Sequence, residues 1–382
     1  MTGTRNPLVV LATGGTGGHV FPAEALAGEL SARGFRLALV TDRRGDVFSG
    51  VLGDLETHRI RAGGVAGKKL VALIQSGSDL AIGLFQARSL LKRLKPQAVI
   101  GFGGYASVPT MLAACFGGYA TAIHEQNAVL GRANRLLATR VRRIATCFER
   151  VEGLPDETSN KVVFTGMPVR PAVAACRDHP YPSLDDDGLC HLLVVGGSQG
   201  ARVLSDVVPA ALGRLPAKLQ NRLRITQQCR PEDLDRVRAS YSNLKLDATL
   251  NSFFADLPER IATAHLVIGR SGASTVAELS AIGRPAILVP YPHAVDDHQA
   301  GNAHAIDDAG GGWLMSEDTF TPEALAKRLD SLFGLPVVLK RTAANACAAG
   351  RPKAVDELAD MVAEVISNGA NGGGDQAGRR AA

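Results

Sequence analysis

Four glycine-rich stretches hold most of the side chains able to do chemistry: TGGTGGH (Thr13–His19), GFGGYAS (Gly101–Ser107), GGSQGA (Gly196–Ala201) and RSGAST (Arg270–Thr275). Glycine in such places permits positive φ and lets backbone N–H groups close on an anion. A helix starting directly afterwards adds the positive end of its dipole, which makes each loop a cradle for a phosphate or a sugar. A tight strand-to-helix turn wants glycine for its own sake, so one loop alone would say little. Four of them behind apolar strands favour a phosphate-bearing or nucleotide-sugar ligand.

His19 closes the first loop. Its imidazole can take a proton from a sugar hydroxyl at neutral pH; the plainer role is a hydrogen bond that caps the loop. HEQN (His124–Asn127) sets four polar side chains directly after an apolar strand. It reads as ligand contact, or as a helix start capped by Asn127. In the second half, Arg270, Ser271, Thr275 and Glu278 stand at the start of a helix. Hydroxyls and N–H groups there can hold a pyrophosphate, and a carboxylate one turn later can accept both hydroxyls of a ribose. Glu278 and Arg270 could equally be solvated helix charges. The stretch His293–Ala303 offers Asp296, His298, Gln299 and Asn302 to sugar hydroxyls.

Several chemistries drop out. GGTGGH is not G-x-G-x-x-G, because Val20 stands where the third glycine is required, although Asp42 lies at the distance of a ribose acid. The chain has no P-loop lysine and no H-E-x-x-H pair. Asp296 and Asp297 do not form a D-x-D pair, and the Asp185–Asp187 run is expected to face solvent. No metal and no cofactor is expected. Six scattered cysteines without a C-x-x-C pair fit free thiols in a reducing compartment.

The loops need elements to hold them. Strands are expected at Leu8–Ala12, Arg36–Thr41, Ala98–Gly101, Thr121–Ile123 and Val162–Thr165, with helices to about Arg33 and over Leu70–Leu94 and Leu130–Thr139. A second series has strands at His191–Val195, Leu223–Thr226, Leu266–Ile268 and Ala286–Val289. This alternation predicts an α/β fold with two doubly wound, Rossmann-like parallel sheets. A chain of 382 residues suits two domains. Expected boundaries are 1–166, a proline- and acid-rich hinge over 167–188, a second domain over 189–366, and a disordered tail over 367–382. A cleft between the carboxyl ends of the two sheets is the expected ligand site. The uncharged run Pro96–Ile123 is broken by glycines and Pro109, which predicts strand, turn, short helix and strand rather than a membrane span. The N-terminus runs directly into an apolar strand, so no leader is expected.

Net charge is +5, too mild to predict nucleic-acid binding. Its distribution is uneven. From Arg59 to Arg150 the chain carries fourteen Lys or Arg against three acids, a net of +11, and the remainder sums to −6. Leu73, Ile74, Leu80, Ile82, Leu84 and Phe85 form an apolar surface candidate beside Lys68, Lys69, Arg88, Lys92, Arg93 and Lys95. Arg140, Arg142 and Arg143 are expected on the same face. Apolar residues ringed by cations suit shallow insertion into an anionic leaflet; the alternative is an amphipathic core helix with a solvated basic face. The segment lacks the exposed aromatics of a nucleic-acid module.

In order along the chain, GGTGGHVFPA, GFGGYAS, HEQN, GMPVR, VVGGSQGARVL, RSGAST-x-x-E and DDHQ-x-x-N resemble the family of peptidoglycan N-acetylglucosaminyltransferases. The resemblance spans about residues 8–365. It implies a GT-B architecture in which the first domain binds the acceptor and the second UDP-N-acetylglucosamine, with sugar transfer independent of metal. The implied reaction is inverting transfer of N-acetylglucosamine to the C4 hydroxyl of the muramyl sugar of lipid I (undecaprenyl-pyrophosphoryl-MurNAc-pentapeptide), giving lipid II. That places the enzyme peripherally on the cytoplasmic face of the bacterial inner membrane. Implied roles follow the matching positions. Glu278 is the ribose acid, and Ser198, Gln199, Arg270, Ser271, Gly272 and Thr275 lie in the donor loops. Phe254 reads uracil through its backbone, while His298 and Gln299 stand near the donor sugar. Thr16, Gly17, Gly18, Asn127 and Arg170 complete the donor side, Gly103, Gly104 and Tyr105 line the acceptor side, and His19 with Glu125 are the catalytic candidates. A UDP-sugar 2-epimerase of the same architecture is the competing enzyme class, and a lectin-like binding protein a distant third.

Overall fold

In the computed structural model of the chain, the apolar runs become parallel strands, each followed by one of the turns above or by a helix. The structure describes residues 6–14, 17–42, 50–62, 70–185, 187–197 and 200–371, with backbone alone at 17, 70–77, 370 and 371. Among the described residues the first sheet has seven strands: β1 (Leu8–Ala12), β2 (Arg36–Asp42), β3 (Glu56–Ile60), β4 (Ala98–Gly101), β5 (Ala120–Glu125), β6 (Arg143–Thr146) and β7 (Val162–Phe164). They lie in the order β3-β2-β1-β4-β5-β6-β7, and all pairs are parallel. Successive strand side chains point to opposite faces. β1 therefore feeds two cores: Leu8, Val10 and Ala12 join one cluster, Val9 and Leu11 the other. Burial on both faces explains why β1 reads as an unbroken apolar run.

The first cluster lies under helices Leu70–Leu94, Gly104–Phe116 and Arg132–Leu137, through Leu91, Met111 and Leu137. The second lies under helix Gly17–Ala32 and the chain's last helix, Ala354–Asn371, through Leu26, Leu30, Leu358, Met361, Val362 and Val365. That last helix corrects the expected boundaries. The compact units are 1–168 with 353–382, and 169–352. Its apolar residues recur at three- and four-residue spacing, but periodicity does not say which sheet a stripe will cover. The helix also runs through Asn371, past the expected start of the tail at 367. Residues 372–382 lie outside the described ones.

The second sheet holds β8 (Cys190–Val195), β9 (Leu223–Gln228), β10 (Ala248–Asn251), β11 (Leu266–Gly269), β12 (Ala286–Leu288) and β13 (Gly312–Leu314), in the order β10-β9-β8-β11-β12-β13. Much of the expected hinge is fastened to this unit. Buried Arg284 donates to the carbonyls of His179, Pro180 and Ala262, and Arg177 donates to those of Ala281 and Cys347. Arg222 holds Gly188 and Asp185 in the same way. Arginine-to-carbonyl bonds of this long sequence range leave no local pattern. The strands missed from sequence were short or lay toward the sheet edges: β3, β6, β10 and β13.

Both sheets reverse strand direction of growth at one place, between β1 and β4 and between β8 and β11. In doubly wound sheets that crevice, beyond the strands' carboxyl ends, is where ligands bind. All four glycine turns sit there. No helix among the described residues is long and apolar enough to cross a membrane.

Leu358 is fully buried beneath the first sheet. Leu358→Ala is expected to cost about 2–5 kcal/mol, seen as a lower urea midpoint. An unchanged midpoint would contradict docking of the last helix on that sheet.

Candidate active site

In the first unit, the turn after β1 and the turn after β4 are forced together. A Cβ on Gly14 would lie 2.7 Å from Ala106 Cβ, so only glycine lets the turns meet. The His19 ring fills the remaining space. Gly103 and Gly104 have φ of +83° and +69°, and a Cβ on Gly103 would stand 3.3 Å from the ring. Glycine is thus required for both conformation and room. Thr13 Oγ1 donates to the His19 carbonyl at 3.1 Å, and His19 Nδ1 meets Gln126 Oε1 at 3.2 Å. Gly18 precedes His19 in the first turn of helix Gly17–Ala32. Tyr105 is partly exposed at the start of the helix after β4.

Glu125 ends β5 and is almost fully buried. Oε1 accepts from the backbone N–H of Asn127 at 3.0 Å and from its Nδ2 at 3.4 Å. Oε2 accepts from the Gly131 N–H at 2.9 Å and from Asn134 Nδ2 at 2.8 Å. Four donors from one loop fix this carboxylate as the loop's anchor, and they leave it little capacity to act as a base. Asn134 and Gln126 were not singled out from sequence. Gln126 is the third residue of HEQN. Its Nε2 donates to the Phe102 carbonyl at 2.9 Å and reaches His124 Nδ1 at 2.9 Å. Burial pushes His124 down to about 4, offset in part by a backbone hydrogen bond to Gly166, so the ring is neutral near pH 7. Cys147, 3.4 Å from His124 Nε2, has its thiol pushed well up, chiefly by burial.

In the second unit, Gly272 caps helix Ala273–Ile282, and a Cβ on it would meet nothing within 4 Å. A Cβ on Gly197, at φ +80° after β8, likewise meets nothing within 4 Å among the described residues. Gly272 is thus an open approach for a phosphate at a helix start, while Gly197 lies ahead of the helix that begins at Arg202. Glu278 lies one turn further along and is mostly buried. Arg170 Nε and Nη2 both reach its Oε1, at 3.1 and 2.9 Å. Burial pushes the Glu278 carboxyl up, and Arg170 pulls it back. The ring of Phe254 is buried, with the Arg260 guanidinium 4.5 Å from its centre. Gln299 Oε1 accepts the Tyr291 N–H at 3.0 Å, and His298 Nδ1 donates to the Val295 carbonyl at 2.7 Å. Asp296 and Asp297 just before them sit at φ near +53° and +52°, a left-handed strain found where function fixes a loop.

Two expected donor contacts face elsewhere. Arg270 donates to the carbonyls of Val289 and Pro290 at 3.2 and 3.0 Å and lies over Tyr291. Ser271 is fully buried, with Oγ donating to the Gln299 carbonyl at 2.8 Å and its own carbonyl held by Asn302. Both tie loops together rather than aim at a diphosphate. Thr275 stands in the first turn of the same helix. Thr16, Ser198 and Gln199 lie outside the described residues, as does the side-chain space around Gly17. No three His, Cys, Asp or Glu side chains among the described residues converge as a metal site.

The basic segment is divided by the fold. Phe85 is 75% exposed and Ile82 39%, with Arg88 and Lys92 exposed on the same helix. Phe116 and Leu136, on the two neighbouring helices, add exposed apolar surface. Leu84 instead packs into the core and Leu80 is half-buried. Arg143 pairs with Glu364 of the last helix, on the opposite side of the sheet, so it leaves the expected patch. Lys68 and Lys69, and the side chains of Leu73 and Ile74, lie outside the described residues.

Residues 9–146 match the glycosyltransferase family 28 N-terminal domain and residues 191–358 its C-terminal domain. Over 365 residues the chain is 62% identical to a UDP-N-acetylglucosamine–N-acetylmuramyl-(pentapeptide) pyrophosphoryl-undecaprenol N-acetylglucosamine transferase of Paramagnetospirillum magneticum, covering 96% of this chain and 98% of that one. A Rhodospirillum rubrum protein of the same name is 57% identical over 358 residues, covering 93% and 91%. Among solved structures, Acinetobacter baumannii MurG superposes with a TM-score of 0.77 at 30% identity, covering 94% of this chain and 99% of that one. A Neisseria meningitidis UDP-GlcNAc 2-epimerase shares the fold at a TM-score of 0.64 and 14% identity, which speaks to architecture alone.

His124 has a folded value near 4 against an ordinary 6.5, so it binds a proton more readily when unfolded. Its contribution to stability is complete above about pH 6.5 and is lost as pH falls toward about 4, by up to about 3 kcal/mol. Urea midpoints across that range should fall in the wild type and fall less in His124→Gln. Parallel profiles would show that the imidazole is not buried neutral.

Proposed function

The chain belongs to glycosyltransferase family 28, and we propose that His19 is the general base of its reaction, with the acceptor on the first unit and the nucleotide sugar on the second. The protein is a UDP-N-acetylglucosamine-dependent transferase that acts on lipid I to form lipid II. The observation that carries the proposal is the His19 ring, slotted between two glycine turns at the point where strand order reverses. The epimerase reading shares the donor site but gives the HEQN loop no acceptor to serve.

The chemistry then runs as one displacement. The muramyl C4 oxygen attacks the anomeric carbon in line with the departing UDP, and its proton passes to His19. The bond from the anomeric carbon to the β-phosphate oxygen breaks, and the α-linked sugar becomes β-linked. Negative charge grows on the leaving diphosphate, and the N–H groups at Gly272 and Gly197 supply a fixed positive potential there. Glu278 accepts the ribose hydroxyls. Arg170 orients that carboxylate through its two bonds to Oε1 and adds positive charge beside the nucleotide. Glu125 acts by holding the loop that carries Gln126 and Asn127.

A lipid-linked acceptor calls for a surface that meets the membrane. Phe85, Ile82 and Phe116 supply apolar area, and Arg88 and Lys92 face anionic headgroups, each cation contributing about 1 kcal/mol. The enzyme thereby works as a peripheral protein at the cytoplasmic face of the inner membrane.

His19→Ala should lower turnover of a lipid I analogue by about 10²–10⁴-fold while UDP affinity changes little; near-full turnover would remove His19 from the base role. Phe85→Glu with Arg88→Glu should reduce sedimentation with anionic vesicles but spare turnover of a short-chain, soluble acceptor. Binding that ignores lipid charge in the wild type would discard the electrostatic part of the membrane reading.

A further inference from the structure

We propose that Gln126 is the positioning residue that holds His19 as its Nδ1–H tautomer, so that Nε2 presents the lone pair that receives the acceptor's proton. The inference rests on His19 as the base and assigns which nitrogen does the work.

The orientation of one amide decides the matter. Gln126 is buried to 2% exposure. Its Nε2 lies 2.9 Å from the Phe102 carbonyl and 3.2 Å from the His124 carbonyl, and both can only accept. Turning the amide over would press Oε1 against those two oxygens. The amino group must therefore face them, and Oε1 must face His19 Nδ1 at 3.2 Å. A carbonyl oxygen cannot donate, so the proton between them belongs to Nδ1. In a neutral imidazole the other nitrogen is then the acceptor.

His124 reinforces this arrangement. Its Nδ1 lies 2.9 Å from Gln126 Nε2, which can only donate, and its ring stays neutral because it is buried, so Nδ1 accepts from the amide. The Phe102–Gly104 turn contributes twice. The Phe102 carbonyl sets the amide, and the glycines that follow make the slot in which the ring lies. When Nε2 takes the hydroxyl proton, Nδ1–H continues to donate to Gln126 Oε1. The amide steadies the imidazolium without exchanging a proton. Every proton is accounted for: one leaves the acceptor oxygen and one arrives at Nε2.

The test reads the tautomer directly. Imidazole ¹⁵N spectra of the full-length protein, with His19 identified by its loss in His19→Ala, should show a protonated Nδ1 and a pyridine-type Nε2. A protonated Nε2 with bare Nδ1 in the wild type overturns the proposal. Gln126→Met keeps the side chain's length and removes its bonds. It should move His19 toward the Nε2–H form and lower kcat by about 10–100-fold, with KM for UDP-N-acetylglucosamine within about twofold. His19→Ala added to Gln126→Met should then cost much less than His19→Ala alone. An unchanged tautomer and kcat in Gln126→Met would overturn the role of Gln126 and leave His19 as base. Full activity in His19→Ala would overturn both.

Discussion

The close approach of two strand-ending turns is the constraint on which the first unit's chemistry depends. Gly14 meets Ala106 where no larger residue fits, and Gly103 and Gly104 adopt φ values that place their backbone against the His19 ring. Nothing polar could be held there by loops free to move. The turns are fixed because β1 and β4 are neighbours in a sheet buried on both faces. Packing of Val9, Val10, Leu11 and Ile100 thus sets the position of an imidazole several residues away.

The second organising fact is how buried polar groups are satisfied. An unpaired buried donor or acceptor costs about 1–3 kcal/mol, so most find a partner, and the partners dictate shape. Glu125 gathers four donors and so folds the loop over 126–134 around itself. Gln126 is gripped by Phe102 and His124 and turns its oxygen to His19. In the second unit Arg284 does the same for the segment near residues 179–180, with carbonyls alone and no carboxylate. The stretch that composition marks as a linker is largely a strap.

Charge is arranged on a coarser scale. The +11 segment spreads over several elements, and the fold sorts its members. Arg88 and Lys92 remain exposed beside Phe85, while Arg143 turns to Glu364 on the far side of the sheet. Arg170 and Arg270, both expected to serve the nucleotide, part company: one is paired with Glu278, while the other is paired with Glu317 and braces the loop after β12.

Sequence alone determined the architecture and the family, since apolar runs, glycine turns and their order are local signals with few alternative readings. Gly103 was legible because a turn at a strand's end that takes φ of +83° favours glycine there. Tertiary structure alone decided which groups meet. Gln126 is 107 residues from His19, the last helix returns to the first sheet across more than 180 residues of the second unit, and Ser271 and Arg270 tie their loop to Gln299 and to Val289. Contacts of that range are set by burial and by the need to satisfy enclosed donors and acceptors. No spacing within the sequence records that need.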